Sequence, residues 1–133
     1  MSEQLKRIIA NSIVIILASL LLFFASTWWR MNSQFKQGEI AHGKGDFTGA
    51  VAAYESALHM YIPYHPTIEK AARKLWQIGE ANEQLGDVKR ALIAYRSLRS
   101  SFYADRWLIT PGKSWIAKCD RKIAALVPMQ HER

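Results

Sequence analysis

Residues 38–58 read GEIAHGKGDFTGAVAAYESAL, and residues 79–99 read GEANEQLGDVKRALIAYRSLR. Laid over one another at an offset of 41, the segments agree at eight of 21 positions: Gly38/Gly79, Glu39/Glu80, Gly45/Gly86, Asp46/Asp87, Ala50/Ala91, Ala53/Ala94, Tyr54/Tyr95 and Ser56/Ser97. A recurrence of this size marks one supersecondary unit used twice. The shared residues also say what the unit is. Glycine followed by aspartate makes a tight turn, the glycine taking positive φ and the carboxylate capping the next helix. Beyond the turn, Ala50, Tyr54 and Ala57, or Ala91, Tyr95 and Leu98, fall on one helical face. The alanines admit a neighbouring helix, and the ring fills the space beside it. Each unit is therefore predicted to be two antiparallel helices around a short turn, 31–43 with 47–60 and 67–84 with 88–102.

Outward from these units the chain stays helical in character. Between sparse Gly and Pro marks it is rich in Ala, Leu, Ile, Lys, Arg and Glu at helical spacing, and no strand pair is evident. The expected class is all-α, with a single helical domain at 30–127, repeat units at 31–60 and 67–102, and a short tail at 128–133. The second unit leaves an apolar end to cover. Residues 110–126 suit that role: Thr110 as cap, Pro111 in the first turn, and Pro128 as the stop. Trp115, Ile116, Cys119, Ile123 and Val127 make the inward stripe, with Lys113, Lys118, Arg121 and Lys122 turned to water.

These units resemble the tetratricopeptide repeat family. The pattern W-x2-L-G-x2-Y followed by A-x3-F is echoed by Leu75-x2-Ile78-Gly79 with Ala91-x3-Tyr95, and by Gly38 with Ala50-x3-Tyr54 and the late Pro63. The resemblance covers residues 31 to about 103 and implies a capping helix after the last repeat. It departs from the family pattern in three respects. The usual period is 34, so seven residues are inserted around Tyr61–Pro66, an aromatic loop stiffened by Pro63 and Pro66. The consensus tyrosine is Ala41 and Asn82, and the leading aromatic is displaced by one, as Phe35 and Trp76. The resemblance implies a partner-binding groove lined by the first helix of each pair. By position that groove holds Asn32, Phe35, Glu39 and His42, then Arg73, Trp76, Glu80 and Glu83. Its expected occupant is a protein, and the cationic clamp for a terminal carboxylate is not evident.

The N-terminal third has a different chemistry. After a short polar tail at 1–7, residues Ile8 to Trp29 contain no charge, histidine, glycine or proline. Such a segment makes about 33 Å of helix, against a hydrocarbon core of about 30 Å. Its twelve Ile, Leu, Val and Phe residues outweigh Asn11 and the hydroxyls. Trp28 and Trp29 then stand where an aromatic belt belongs, with Arg30 directly behind. The expectation is a retained single transmembrane helix at 8–29 in a plasma or inner membrane, tail inside and helical domain on the far side. A cleavable signal peptide would release a secreted binder instead, but signal apolar regions run only about 7 to 15 residues. No glycine or proline interrupts the chain from Ile8 to Gln37, so the span is expected to run directly into the first repeat helix.

Two further features bear on partners. Asn11, Ala18 and Ala25 recur every seven residues, as do Ser12, Ser19 and Ser26, drawing a small-residue seam suited to another membrane helix. The charge is also lopsided. Residues 1–87 hold eight cationic and eight acidic side chains, whereas 88–127 hold nine against two and carry the whole excess of +7. Arg96, Arg99, Arg106, Lys113, Lys118, Arg121 and Lys122 are the candidate basic face, fit for an acidic partner or anionic lipid. Nucleic acid has no reader motif in its favour.

Catalytic and metal signatures are lacking. His42, His59, His65 and His131 have no metal-ligand spacing, the lone Cys119 lies in an apolar stripe, and no phosphate loop or nucleophile elbow occurs. The sequence thus predicts a membrane-tethered, non-enzymatic adaptor without cofactors, a subunit of a larger assembly. If the seam packs against another membrane helix, replacing Ser12, Ala18, Ser19 and Ala25 together with leucine abolishes co-purification of a membrane partner. Unchanged association would exclude the seam as a contact.

Overall fold

The computed structural model describes residues 2–60, 62, 65–104 and 112–131, and these contain five helices and no strand. The first, α1 (Glu3–Gly43), is 41 residues long. It is followed by α2 (Phe47–His59), α3 (Pro66–Gln84), α4 (Val88–Ala104) and α5 (Lys113–His131). The all-α class is as expected, and the helices expected at 47–60, 67–84 and 88–102 agree to within two residues, whereas the one expected at 31–43 is the last part of α1, which begins inside the expected polar tail. Thr110, Pro111, Arg106 and most of the aromatic loop (Tyr61, Pro63, Tyr64) lie outside the described residues.

α1 is one unbroken rod because its sequence offers no breaker for 35 positions, from Glu3 to Gln37. Ser2 caps it by accepting from the Leu5 N–H at 3.3 Å. Its first half is exposed throughout, and it is the one helix long and apolar enough to cross a membrane among the described residues. Burial begins at Met31 and continues at Gly38, where the rod enters the domain. The same helix therefore has two environments, divided at about residue 30.

The two turns are near copies. Gly45 and Gly86 take φ of +73° and +76°, a region glycine enters without a side-chain clash. The Asp46 N–H donates to the Ala41 carbonyl at 2.9 Å and that of Asp87 to Asn82 at 2.8 Å, closing the preceding helix. Each aspartate then caps the next helix: Asp46 Oδ1 accepts from Gly49 N–H, and Asp87 Oδ1 from Arg90 N–H, both at 3.0 Å.

The hairpins close over two glycines. The rings of Tyr54 and Tyr95, both wholly buried, lie on the backbone at Gly38 and Gly79. A Cβ at Gly38 would stand 2.7 Å from Tyr54 Cε1, and one at Gly79 would stand 2.5 Å from Tyr95 Cε1. Phe35 and Trp76 pack against these rings, with centroids 5.6 and 5.0 Å away. α2 packs on α3 and α4, and α1 on α3, so Met31, Leu58, Leu75, Ile78, Leu98 and Phe102 join one core.

α5 covers the open side of α4 through Trp115, Cys119 and Leu126, with Ile116, Ile123 and Val127 partly buried beside them. Two expectations need correction here. Pro128 does not stop the helix, which continues to His131 beyond the expected 110–126. In the last turn a proline forfeits one backbone bond without breaking a long ladder. Lys122 does not face water but turns inward, as described below.

Gly79→Ala should overpack the Tyr95 contact and destabilise the full chain in detergent by about 1–3 kcal/mol, measured by denaturant titration. Asp87→Ala removes a cap and should cost about 1 kcal/mol. Unchanged midpoints would mean that neither contact holds the hairpin.

Candidate functional site

A single polar device recurs beside each aromatic pair. The Tyr54 hydroxyl donates to Glu39 Oε1 at 2.7 Å, and Lys74 of α3 stands 3.3 Å from the same oxygen. In the second hairpin the Tyr95 hydroxyl donates to Glu83 Oε2 at 2.8 Å, and Lys122 of α5 donates to both Glu83 oxygens at 3.1 and 2.9 Å. A lysine from the next helix thus closes each unit, with α5 doing for the second hairpin what α3 does for the first. The match is one of geometry, not of register. Glu83 corresponds in the repeat to His42, while Glu80, the counterpart of Glu39, is not the residue bonded to the tyrosine.

The electrostatics follow from this arrangement. The Tyr54 hydrogen bond holds the Glu39 carboxyl below its ordinary range; burial opposes it, and the Lys74 hydrogen bond and the Lys74 and His42 charges add to it. For Glu83, burial pushes the carboxyl up, but the Lys122 and Tyr95 hydrogen bonds and the Lys122 charge outweigh that and leave it lowered. Both tyrosines are pushed up, first by burial and then by their carboxylate partners. Burial also raises the Cys119 thiol, to about 12, so it is an inert part of the core.

The predicted groove residues divide into two groups. Phe35 and Trp76 are half-buried in helix packing. Trp76 lies between Tyr95 and Trp115, whose ring centroid is 5.9 Å away, with Lys122 Nζ 5.9 Å from its own centroid. Trp115 in turn donates to Glu69 Oε2 at 3.1 Å. Of the polar members, His42 and Arg73 are exposed, the latter paired with Glu69 at 3.4 Å, whereas Asn32, Glu39, Glu80 and Glu83 are half-buried. Asn32 accepts from Thr67 at 2.9 Å. Glu80 and Glu83, with Gln84 and Lys122, line a depression between α3 and α5. The structure thus brings Glu80 and Glu83 together, and adds Gln84 and Lys122, which sequence reasoning did not place there.

The basic face is partly spent inside the fold. Arg99 pairs with Asp120 and covers the Tyr103 ring, Lys118 lies over Trp115, and Lys122 is bound to Glu83. Arg96, Lys113 and Arg121 are exposed, without an ion pair among the described residues. Along α1, Asn11, Ser12, Ala18, Ser19, Ala25 and Ser26 are all exposed, and their side chains make no hydrogen bond among the described residues.

One contact had no sequence signal beyond a histidine before a proline. His65 caps α3, its Nδ1 lying 3.1 Å from Thr67 N, and its Nε2 lies 2.6 Å from Trp28 Nε1. Trp28 of α1 is thereby brought to the connection between the two hairpins.

No family model, curated protein or solved structure matches this chain.

Because both carboxyls are lowered from 4.5 in the folded state, their stabilising contribution is complete above about 4.5 and is lost as pH falls through the folded values. The full chain should therefore lose stability on acidification below about pH 4.5. Glu83→Gln should flatten that acid limb while lowering stability at neutral pH. An unchanged acid limb would mean that the Tyr95–Glu83–Lys122 cluster contributes nothing.

Proposed function

We propose that this chain is a membrane-tethered adaptor of tetratricopeptide-like build, a non-catalytic subunit that holds a protein partner close to the bilayer. The observation that carries the reading is α1: one helix joins an apolar segment of membrane-spanning length to the first hairpin without a break. A signal sequence has no need of such continuity, whereas a tether that orients its domain does. The repeated Gly–Tyr–Glu–Lys device supports the tetratricopeptide likeness, with α5 standing where a third unit would begin. The tail is assigned to the inner side of a plasma or inner membrane and the helical domain to the far side.

The docking face is assigned to the first-helix side around His42, Glu80 and Glu83. Phe35 and Trp76 shape it from beneath, with rings already engaged by tyrosines. Binding of anionic lipid through the whole basic face is the weaker alternative, because Arg99, Lys118 and Lys122 are engaged within the fold.

The tether is tested by intact mass and alkaline extraction of membranes. The chain should retain residues 1–29 and stay with the lipid, whereas a mature product beginning beyond Trp29 would establish the secreted alternative. The face is tested by a photo-crosslinking amino acid placed at His42 or Glu80, compared with Ile93 on the exposed side of α4. The same protein should be captured at His42 and Glu80 but not at Ile93. Equal capture at all three positions would overturn the assignment.

A further inference from the structure

Four helix ends meet at one end of the helical domain, and α1 determines where that end lies. Because the hairpins fold back on themselves, the end of α2 and the start of α3 return along α1 towards Trp28. The contact is direct: Trp28 reaches His65 at 2.6 Å, and Thr67 reaches Asn32 at 2.9 Å. The other two ends lie alongside. Ser97 of α4 donates to Glu55 of α2 at 2.8 Å. α2 runs four residues past Glu55 and α4 seven past Ser97, so α4 reaches about 4 Å further in that direction. Trp115 bonds Glu69 at 3.1 Å, and each lies within three residues of its helix start, which levels α5 with α3.

This end falls at a defined depth. Trp28 is the penultimate residue of the charge-free segment Ile8–Trp29, so a helix crossing the hydrocarbon core delivers it to the hydrocarbon–headgroup boundary. No stalk separates span from domain; the first tertiary contact is made by a residue of the apolar segment itself. Among the described residues, the exposed side chains there include Trp28, Trp29, Tyr103 beneath Arg99, and Lys113, alongside His59, Glu69 and Lys70. Amphipathic rings beside long cations are the side chains that favour a membrane–water interface.

We propose that this end of the domain rests in the headgroup layer of the same bilayer that α1 crosses, so that the helices stand on the membrane instead of projecting from it on a stalk. The proposal deepens the adaptor reading and rests on α1 being a span. The occupant of this surface is the bilayer. With Trp28 already at the boundary and His65 in contact with it, no depth is left there for a protein between domain and lipid. The turns at Lys44–Asp46 and Leu85–Asp87 form the opposite, outward end.

The test uses the full chain in nanodiscs of phosphatidylcholine and phosphatidylglycerol doped with a nickel-chelating lipid, whose headgroup metal broadens nearby nitroxide spectra. Spin labels are placed singly through Ala104→Cys and Lys113→Cys at the inner end, and through Gln84→Cys and Lys89→Cys at the outer end; all four positions are exposed. Cys119 is wholly buried, so the parent chain provides the unlabelled control. Broadening at Ala104 and Lys113 should exceed that at Gln84 and Lys89 several-fold, because the 19-residue α3 places the outer end about 28 Å further from the lipid. Equal broadening at both ends in a properly inserted chain would overturn the seating and leave the tether intact. Failure of the chain to enter the discs at all would overturn the span and the seating together.

Discussion

The close approach of a tyrosine ring to a glycine backbone is the contact on which the helical part of this protein is built. At Gly38 and Gly79 the absent side chain leaves room for Tyr54 and Tyr95 to press against the neighbouring helix. Each ring also packs against an aromatic of the first helix of its pair and is tied at its hydroxyl to a glutamate of that helix. A buried phenol needs such a partner, since an unpaired hydroxyl in the core costs more than the bond contributes. The glutamates in turn would be expensive to hold in a half-buried site without the lysines that reach them from α3 and α5. Packing therefore drags a chain of polar consequences behind it, and that chain connects one hairpin to the next.

The arrangement gives the uneven charge of the sequence a structural meaning. The cationic excess of residues 88–127 is not spread over a single open surface. Arg90 sits over Phe47 and beside Asp87, Arg99 holds Asp120, and Lys122 spans Trp76, Tyr95 and Glu83. Exposed pairs of this kind contribute little one by one. Two of them, Arg99–Asp120 and Lys122–Glu83, tie α5 to α4 and α3, where its apolar stripe is short. Net charge measured along a sequence is thus a poor guide to the charge a folded domain shows to a partner.

The hairpins were legible because their signals are local and repeated: Gly45–Asp46 and Gly86–Asp87 for the turns, Ala and Tyr at helical spacing for the packing face. The rod was legible from Ile8 onward from an absence, the lack of any breaker as far as Gln37, but its start at Glu3, inside the expected polar tail 1–7, was not. What escaped were contacts set by side-chain reach across helices. Lys122 reads as a surface lysine at any register, yet its long stem lets it cross two rings to Glu83. The repeat alignment pairs Glu39 with Glu80, but Tyr95 bonds Glu83, one turn later, because α5 delivers its lysine there. Leu126 falls between the positions of the expected stripe and is buried all the same. His65 carried no pattern at all; only the fold brings it to Trp28.

The unbroken α1 also makes the domain sensitive to phase. A rod without a hinge passes rotation as faithfully as it passes length. Every residue added near Arg30 would turn everything beyond it by about 100° and lift it by about 1.5 Å. Deleting or inserting a single position there would aim the hairpins at a different compass bearing around the helix axis, with every contact inside them intact. Evolution of such a linker is confined to changes that keep count, much as a key keeps the spacing of its teeth.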